Sequence, residues 1–355
     1  MMLLYPQARA EGTADALLAR VGFDRLEALA RELGVEGVGE IAASALSGEL
    51  KLDGDLAGRA IRRLGGLLRE GLLGALSALA APVIATLCLR LVLGRRDGPL
   101  TLLCRLACAC ALAQRCAEAV EVAAEAMGRS ARVASAASPV LAAALTATGS
   151  GASGAMLSPL AALCASAIED ALVAVGLPAC VLTAVVAIAG NLSESYRLDA
   201  LFRVLKGATV WGVRLLIGGF VGLLAVEGRL AAARDAATSQ ALGQAIRGLI
   251  PFVGGSISDS AGALLESAAA ARNAVGVTGM AIALLACAGP ALRLSAYMLS
   301  LQLASAVIEP VADAGIARIT AGLGDVAKLL LALCAGSALL SALLGGACLG
   351  LFGVL

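Results

Sequence analysis

The reactive side chains of this chain offer little catalytic chemistry. Its 355 residues include no histidine, which removes Ser-His-Asp and Cys-His catalysis and every imidazole metal site. The sequence contains no GxxxxGK[ST] phosphate loop, and its ten cysteines form no CxxC pair. We therefore expect that the chain is not an enzyme and that it needs no cofactor and no metal ion.

Charges inside apolar runs are the next candidates, because each is costly at the centre of a bilayer. Arg214 lies six residues into its run, close enough for its side chain to reach the headgroups, and Arg293 sits between two runs. For both, anchoring at the membrane surface is favoured over a role in a pore. Glu309 and Pro310 end a run and predict the end of a helix. Arg105 is the remaining charge of this kind.

The elements that must position these residues are hydrophobic helices. Hydrophobic residues make up 60% of the chain, charged residues 15%, and the mean hydropathy is +0.91. A soluble chain of this size cannot bury so much apolar surface. Apolar runs long enough to cross about 30 Å of hydrocarbon recur, which predicts an all-α, polytopic α-helical membrane protein with six to eight spans. The clearest apolar runs are 71–94, 171–190, 208–226, 274–292 and 329–354, and shorter or more polar runs from which the further spans would come are 99–117, 133–149, 155–168 and 294–309.

Four regions follow from this pattern. Residues 1–10 end in Ala8-Arg9-Ala10 and are interpreted as the remnant of a signal peptide, so that 11–70 forms a small extracytoplasmic helical domain. Residues 71–190 hold a first group of spans and 191–355 a second. A net charge of +1 and the absence of a basic tract predict no nucleic-acid partner.

Acidic residues interrupt the apolar pattern at two places. Glu118, Glu121 and Glu125 follow helical spacing and are interpreted as a solvated face rather than a cation site. Glu169 and Asp170 are adjacent, so they point to different faces of a helix. That pair predicts a boundary between two spans rather than a buried acid pair.

Small residues indicate close helix contacts. Gly218 and Gly222 form a GxxxG motif within a span, and Gly346 and Gly350 form another. Such faces let helix backbones approach each other or a partner in lipid.

The segment IPFVGGSISDSAG, residues 250–262, interrupts this apolar chain. Pro251 and the glycines that follow it break a helix, and Ser256 with Asp259 resembles a capping box that starts a helix at about 257. The alternation of apolar and polar residues that follows predicts an interfacial amphipathic helix within 250–273. Gly254, Ser258 and Gly262 give this helix a stripe of small residues.

The same segment, continuing to Met280, resembles the stage III sporulation protein AE family. The similarity extends over roughly 190–350 and includes Arg272-Asn273-Ala274-Val275-Gly276, WGVRLLIGGFVGLLAVEG at 211–228 with Asp235 after it, CAGPALRLSAY at 287–297 and EPVADAGI at 309–316. The candidate assembly or conduit residues are Pro251, Gly254, Gly255, Ser258, Asp259, Gly262, Asn273, Gly276, Gly218, Gly222, Asp235, Pro290, Glu309 and Pro310.

The resemblance implies a multi-pass subunit of the channel between mother cell and forespore, which is similar to a secretion apparatus and is required for endospore formation. The implied location is the mother-cell membrane around the forespore. The implied partners are membrane and ring-forming subunits, and indirectly a secretion-type ATPase and a forespore-side protein. The residues leave two alternatives open, a small-solute secondary transporter and a structural membrane scaffold.

Overall fold

The computed structural model describes residues 23–33, 99–147, 163–192, 198–249, 254–309 and 314–347, with the isolated positions 62, 65, 66, 69 and 84. The interpreted signal remnant at 1–10, most of the predicted domain 11–70 and nearly all of the predicted span 71–94 lie outside these residues.

Every regular element in the described ranges is a helix, which confirms the all-α prediction. A π-helical turn at Leu172–Gly176 interrupts the third of them. Proline at 178 follows this turn and has no N–H group to donate to a carbonyl one turn earlier, which is a local cause of the irregular hydrogen bonding. The helices are α1 (Phe23–Glu32), α2 (Pro99–Ala147), α3 (described from 163, ending at Leu192), α4 (Asp199–Leu249), α5 (Gly254–Ile308) and α6 (Ala314–Ala347).

Four described helical segments are long and apolar enough to cross a membrane, fewer than the six to eight spans expected. The described part of the predicted span 155–168 shares α3 with 171–190, and the predicted spans 274–292 and 294–309 share α5 up to Ile308. Isolated charges such as Arg293 leave the backbone hydrogen bonds of a helix intact and therefore do not separate spans. The four segments are Leu163–Asn191, Asp199–Val226, Gly276–Ile308 and Gly315–Leu344.

The helices α2 to α6 alternate in direction. A methyl group on Gly190 would lie 2.9 Å from Leu198 Cβ, so α3 and α4 form a tight antiparallel hairpin. Arg105 and the carbonyl of Asn191 both approach Gly315. The start of α2, the end of α3 and the start of α6 therefore meet at one end of the bundle.

Helix α6 is the centre of the bundle. It packs most extensively on α5 and α2, and also contacts α3 and α4. Its most apolar stretch is 67% buried, whereas that of α4 is 17% buried. The helices around α6 therefore present much of their apolar surface outward, as expected for helices whose outer faces contact lipid.

Helix α2 contacts this centre through a seam of mainly small residues. The seam recurs at alternating intervals of three and four residues, which keeps one face of a helix turned toward its neighbours. Because most of its members are small, neighbouring helix backbones can pack closely against it. The buried seam residues are Ala109, Leu112, Cys116, Ala119, Ala123, Ala126, Ser130 and Val133.

Candidate functional site

Polar side chains from three helices meet inside the apolar bundle. Ser130 of α2 is fully buried, Glu169 of α3 is 4% exposed, and Ser337 and Ser341 of α6 are buried as well. Helix α2 supplies Ser130 because this serine occupies a seam position, and α6 supplies its two serines one turn apart. We call this group of four residues the Glu169 centre.

The two hydroxyl groups of Ser130 and Ser341 connect the three helices. Ser341 donates to Glu169 Oε1 at 2.9 Å, and Ser130 lies 3.3 Å from the same carboxylate oxygen. Ser130 also lies 2.8 Å from the carbonyl oxygen of Ser337 and within hydrogen-bond distance of the Ser341 hydroxyl. The carboxylate is thus held by two hydroxyls that come from two different helices.

The electrostatic surroundings of Glu169 lack a positive partner. No ion pair to Glu169 occurs in the part of the chain that the structure describes, whereas exposed glutamates of α2 do form such pairs. The charged group that acts on Glu169 is Asp170, its exposed neighbour, which carries the same sign. A buried carboxylate without a counter-charge is energetically costly, so this arrangement calls for a specific explanation.

Helix α5 closes the site on another side. The buried Cys287 thiol donates to the carbonyl oxygen of Ala126 at 3.8 Å, one turn before Ser130. The hydroxyl of Ser337 is buried and has no hydrogen-bond partner among the described residues. The centre therefore contains a hydroxyl without a hydrogen-bond partner as well as a carboxylate without a positive counter-charge.

A second polar junction lies toward the opposite end of the spans. Lys206 of α4 donates to Asp325 of α6 at 2.7 Å, and Lys328 donates to the other oxygen of the same carboxylate at 3.0 Å. An open groove bordered by Asn191 and Arg318 adjoins this junction. Because the participating side chains are a quarter to a half exposed, this is a partly solvated ion-pair network.

The structure does not gather the sequence-derived candidates into one site. Gly218 and Gly222 are exposed, with nothing within 4 Å of an added methyl group, so they contact no described helix of this chain. Gly276 and Pro290 are buried in α5, and the exposed Glu309 directly follows the end of α5, as predicted. Pro251 and Pro310 lie outside the described residues. For the other candidates only the helical backbone is described: Gly254, Gly255, Ser258, Asp259, Gly262, Asn273 and Asp235.

One sequence-based prediction is wrong, and a second differs from the structure in its helix bounds. Glu169 and Asp170 do not mark a boundary between spans, because α3 continues through them and buries Glu169. The helix predicted within 250–273 is the first part of α5, which begins at Gly254 and continues without a break to Ile308. The position of this part at the membrane surface stays a prediction. Propensity in a long run of Ala, Leu and Ser carries the helix through Arg272 and Asn273.

The interpretation of the acidic stripe on α2 is supported. Glu118, Glu121 and Glu125 are all exposed. Arg115 donates to Glu118 at 3.0 Å and Arg129 to Glu125 at 2.6 Å, which is typical of a solvated helix face.

The Glu169 centre was missed because its members are far apart in sequence. The available signals were Ser130, a serine among the alanines of the α2 seam, and Glu169, a carboxylate inside a long apolar stretch. Only the packing of α2, α3 and α6 shows that these signals belong to one place.

A bundle of long apolar helices around a buried polar centre defines an α-helical integral membrane protein. The family model described as stage III sporulation protein AE matches residues 100–346, from the first turn of α2 to the last turn of α6. The chain therefore belongs to the stage III sporulation protein AE family. The match begins well before residue 190, where the resemblance in the sequence was first evident.

One curated relative supports this assignment. The stage III sporulation protein AE of Bacillus subtilis (strain 168) is 25% identical over 134 residues, which is 38% of this chain and 34% of the relative. The match therefore spans about a third of the relative's length. No solved structure matches this chain.

Proposed function

We propose that this chain is a non-enzymatic, multi-pass subunit of the channel between mother cell and forespore, located in the mother-cell membrane around the forespore. Its proposed partners are other membrane and ring-forming subunits of the stage III sporulation A complex, with a secretion-type ATPase and a forespore-side protein as indirect partners. The observation that carries this proposal is the family match across the whole bundle α2 to α6.

The shape of the helices is compatible with a subunit of a larger assembly. Helices α2, α4 and α5 contain 49, 51 and 55 residues, whereas about 20 are enough to cross a bilayer. At 1.5 Å per residue, each extends roughly 70 to 80 Å. Their extra length gives the chain helical surface outside the membrane, where soluble or ring-forming subunits can bind.

Affinity recovery of the tagged chain from membranes of sporulating cells tests the proposal. We expect the other subunits to be recovered with the wild-type chain, and Gly255→Leu or Asp259→Leu to reduce that recovery while the chain still inserts. Gly128→Leu is the matched control, because Gly128 is exposed on α2 with open space around it. Full recovery of partners with both α5 variants would contradict the proposed role of the start of α5 in assembly. Failure of the wild-type chain to recover any subunit would remove the proposed channel membership.

The buried Glu169 centre favours a second candidate, a small-solute secondary transporter, because such proteins use intramembrane carboxylates for coupling ions. Proteoliposomes that contain only this chain distinguish the two proposals. Solute uptake driven by an ion gradient, lost in Glu169→Gln, supports the transporter. Normal partner recovery and sporulation with Glu169→Gln, without uptake, supports the channel subunit. A structural scaffold predicts partner recovery with the wild-type chain and no solute uptake by the chain alone.

A further inference from the structure

The Glu169 centre has more oxygen atoms than hydrogen atoms to join them. Five oxygens lie close together, and each is within hydrogen-bond distance of the Ser130 hydroxyl, the Ser341 hydroxyl or both. They are Glu169 Oε1, the two hydroxyl oxygens themselves, and the carbonyl oxygens of Ser130 and Ser337. With Glu169 ionised, the hydroxyls of Ser130 and Ser341 provide the hydrogens that can join these five oxygens, and each can donate only once, while the Ser337 hydroxyl has no described partner. Several of these close oxygen pairs are therefore not joined by a hydrogen atom.

The charge of the centre points in the same direction. Glu169 is 4% exposed and lies within a segment long and apolar enough to cross a membrane. Its carboxylate has no described cationic partner, and the charged group that acts on it, Asp170, is also negative. A sodium ion could be bound by the crowded oxygens, and a proton would join one further pair of them. Either would neutralise the acid.

We propose that the Glu169 centre binds one monovalent cation, either Na⁺ or a proton, through the Glu169 carboxylate and the hydroxyls of Ser130 and Ser341. Carboxylate, hydroxyl and carbonyl oxygens are the ligands that hard cations prefer. A single carboxylate balances a single positive charge, whereas a divalent ion would leave an excess charge inside the bundle. This assignment rests on the geometry of the centre and is independent of the proposed channel.

The other charged and titratable groups on the surrounding helices are engaged or face elsewhere. Cys287 donates its thiol hydrogen to Ala126, and Arg293 is exposed. Three basic side chains on these helices are bound to carboxylates of their own: Arg129 to Glu125, Arg132 to Glu32, and Lys328 to Asp325. Of these groups, Cys287 interacts with Glu169 and with the Ser130 hydroxyl but carries no positive charge. The arginines and the lysine have no described contact with Glu169.

Thermal unfolding of the full chain in lipid nanodiscs tests the sodium form of the proposal. At constant pH and ionic strength, replacing choline chloride with NaCl is expected to raise the Tm of the wild-type chain by about 5 °C when Na⁺ exceeds its dissociation constant a hundredfold. Glu169→Gln should remove this dependence. Asp170→Asn is the matched control, because it removes the adjacent exposed carboxylate and should leave the dependence unchanged. Ser341→Ala keeps the carboxylate and should raise the Na⁺ concentration needed for half the effect several-fold.

Labelling with a hydrophobic carbodiimide distinguishes the proton. The reagent reacts with a protonated carboxyl group, whose proton moves to the carbodiimide nitrogen as the carboxyl oxygen bonds to its central carbon. Label at Glu169 that Na⁺ suppresses supports a sodium site, and label that Na⁺ does not affect, with a Tm independent of Na⁺, supports a proton site. Acidified, unfolded chain provides the positive control for detecting the labelled peptide. A Tm that is independent of Na⁺ together with no label at Glu169 would overturn the proposal.

Discussion

Lys206 of α4 donates a hydrogen bond of 2.7 Å to the Asp325 carboxylate of α6, 119 residues later in the chain. Helix α4 has the least buried of the four apolar segments, so this ion pair is one of the specific contacts that hold it in register with the central helix. A second contact lies further along the same two helices, where Ile217 Cδ1 would be 2.8 Å from a methyl group on Gly336.

We expect Lys206 and Asp325 to be energetically coupled. In a double-mutant cycle with Lys206→Met and Asp325→Asn, the coupling should be about 1 kcal/mol, near the upper limit for partly exposed pairs. Lys328→Met should show a smaller coupling with Asp325→Asn, because Lys328 lies on the same helix and is more exposed. Unfolding in mixed micelles of increasing denaturing detergent measures these energies. A coupling indistinguishable from zero would show that the 2.7 Å contact does not position α4.

Gly190→Ala is expected to loosen the hairpin between α3 and α4. The added methyl group would lie 2.9 Å from Leu198 Cβ, an atom fixed to the backbone that cannot rotate away. We expect a loss of about 1 to 3 kcal/mol in unfolding free energy, the usual cost of overpacking. Gly218→Ala has open space around it and should be neutral or slightly stabilising through helix propensity. Equal stability of the two variants would contradict the tight approach.

Ser341→Ala is expected to destabilise the bundle by about 1 to 3 kcal/mol, because it removes the donor that lies 2.9 Å from the buried Glu169 carboxylate. Ser166→Ala is the matched control, since Ser166 is exposed and bonds only to the Leu163 carbonyl of its own helix. That control should change stability by less than about 0.5 kcal/mol. If both variants unfold at the same detergent fraction, the buried hydroxyl does not contribute to folding.

Glu125 provides a prediction for pH. Its pKa lies below the ordinary value of 4.5, chiefly because the Arg129 guanidinium donates a hydrogen bond to its carboxylate. A carboxyl whose folded-state pKa is depressed stabilises the protein above its unfolded-state pKa and loses this contribution as pH falls through the folded-state value. The effect on stability should be small, because the pair is exposed.

NMR titration of isotope-labelled glutamate carboxyls checks the direction of this shift. In Arg129→Gln the Glu125 pKa should rise toward its ordinary value. Arg31→Gln alters a distant exposed pair, between Arg31 and Glu27, and should leave Glu125 unchanged. An unchanged Glu125 pKa in Arg129→Gln would show that the hydrogen bond does not form in solution.

The predictions that depended on local pattern succeeded where one signal dominated. Apolar runs of spanning length indicated a helical membrane protein, and the Glu309-Pro310 pair indicated the end of α5, because proline cannot continue a helix. The stripe of Glu118, Glu121 and Glu125 indicated an exposed face. Each of these features is encoded within a few turns of helix.

The predictions that depended on breaks in the pattern were less successful. A pair of carboxylates at 169 and 170 and an arginine at 293 were expected to separate spans, but helices accommodate single charges by turning them outward or by burying them against polar neighbours. Whether Glu169 points outward or inward depends on α2 and α6, which its local sequence does not describe. The same is true of Gly218 and Gly222, whose face remains uncovered by this chain.

By itself, the sequence determined that this is a membrane protein, that it is helical and which family it belongs to, because composition, the length of apolar runs and the order of motifs are properties of the chain. The tertiary structure decided which helix is central, which face of α4 stays open, and that Ser130, Glu169 and Ser341 meet. Ser130 and Glu169 are 39 positions apart in the sequence, and Glu169 and Ser341 are 172 positions apart. Such residues come together only through packing, which depends on the shapes of all the neighbouring helices at once.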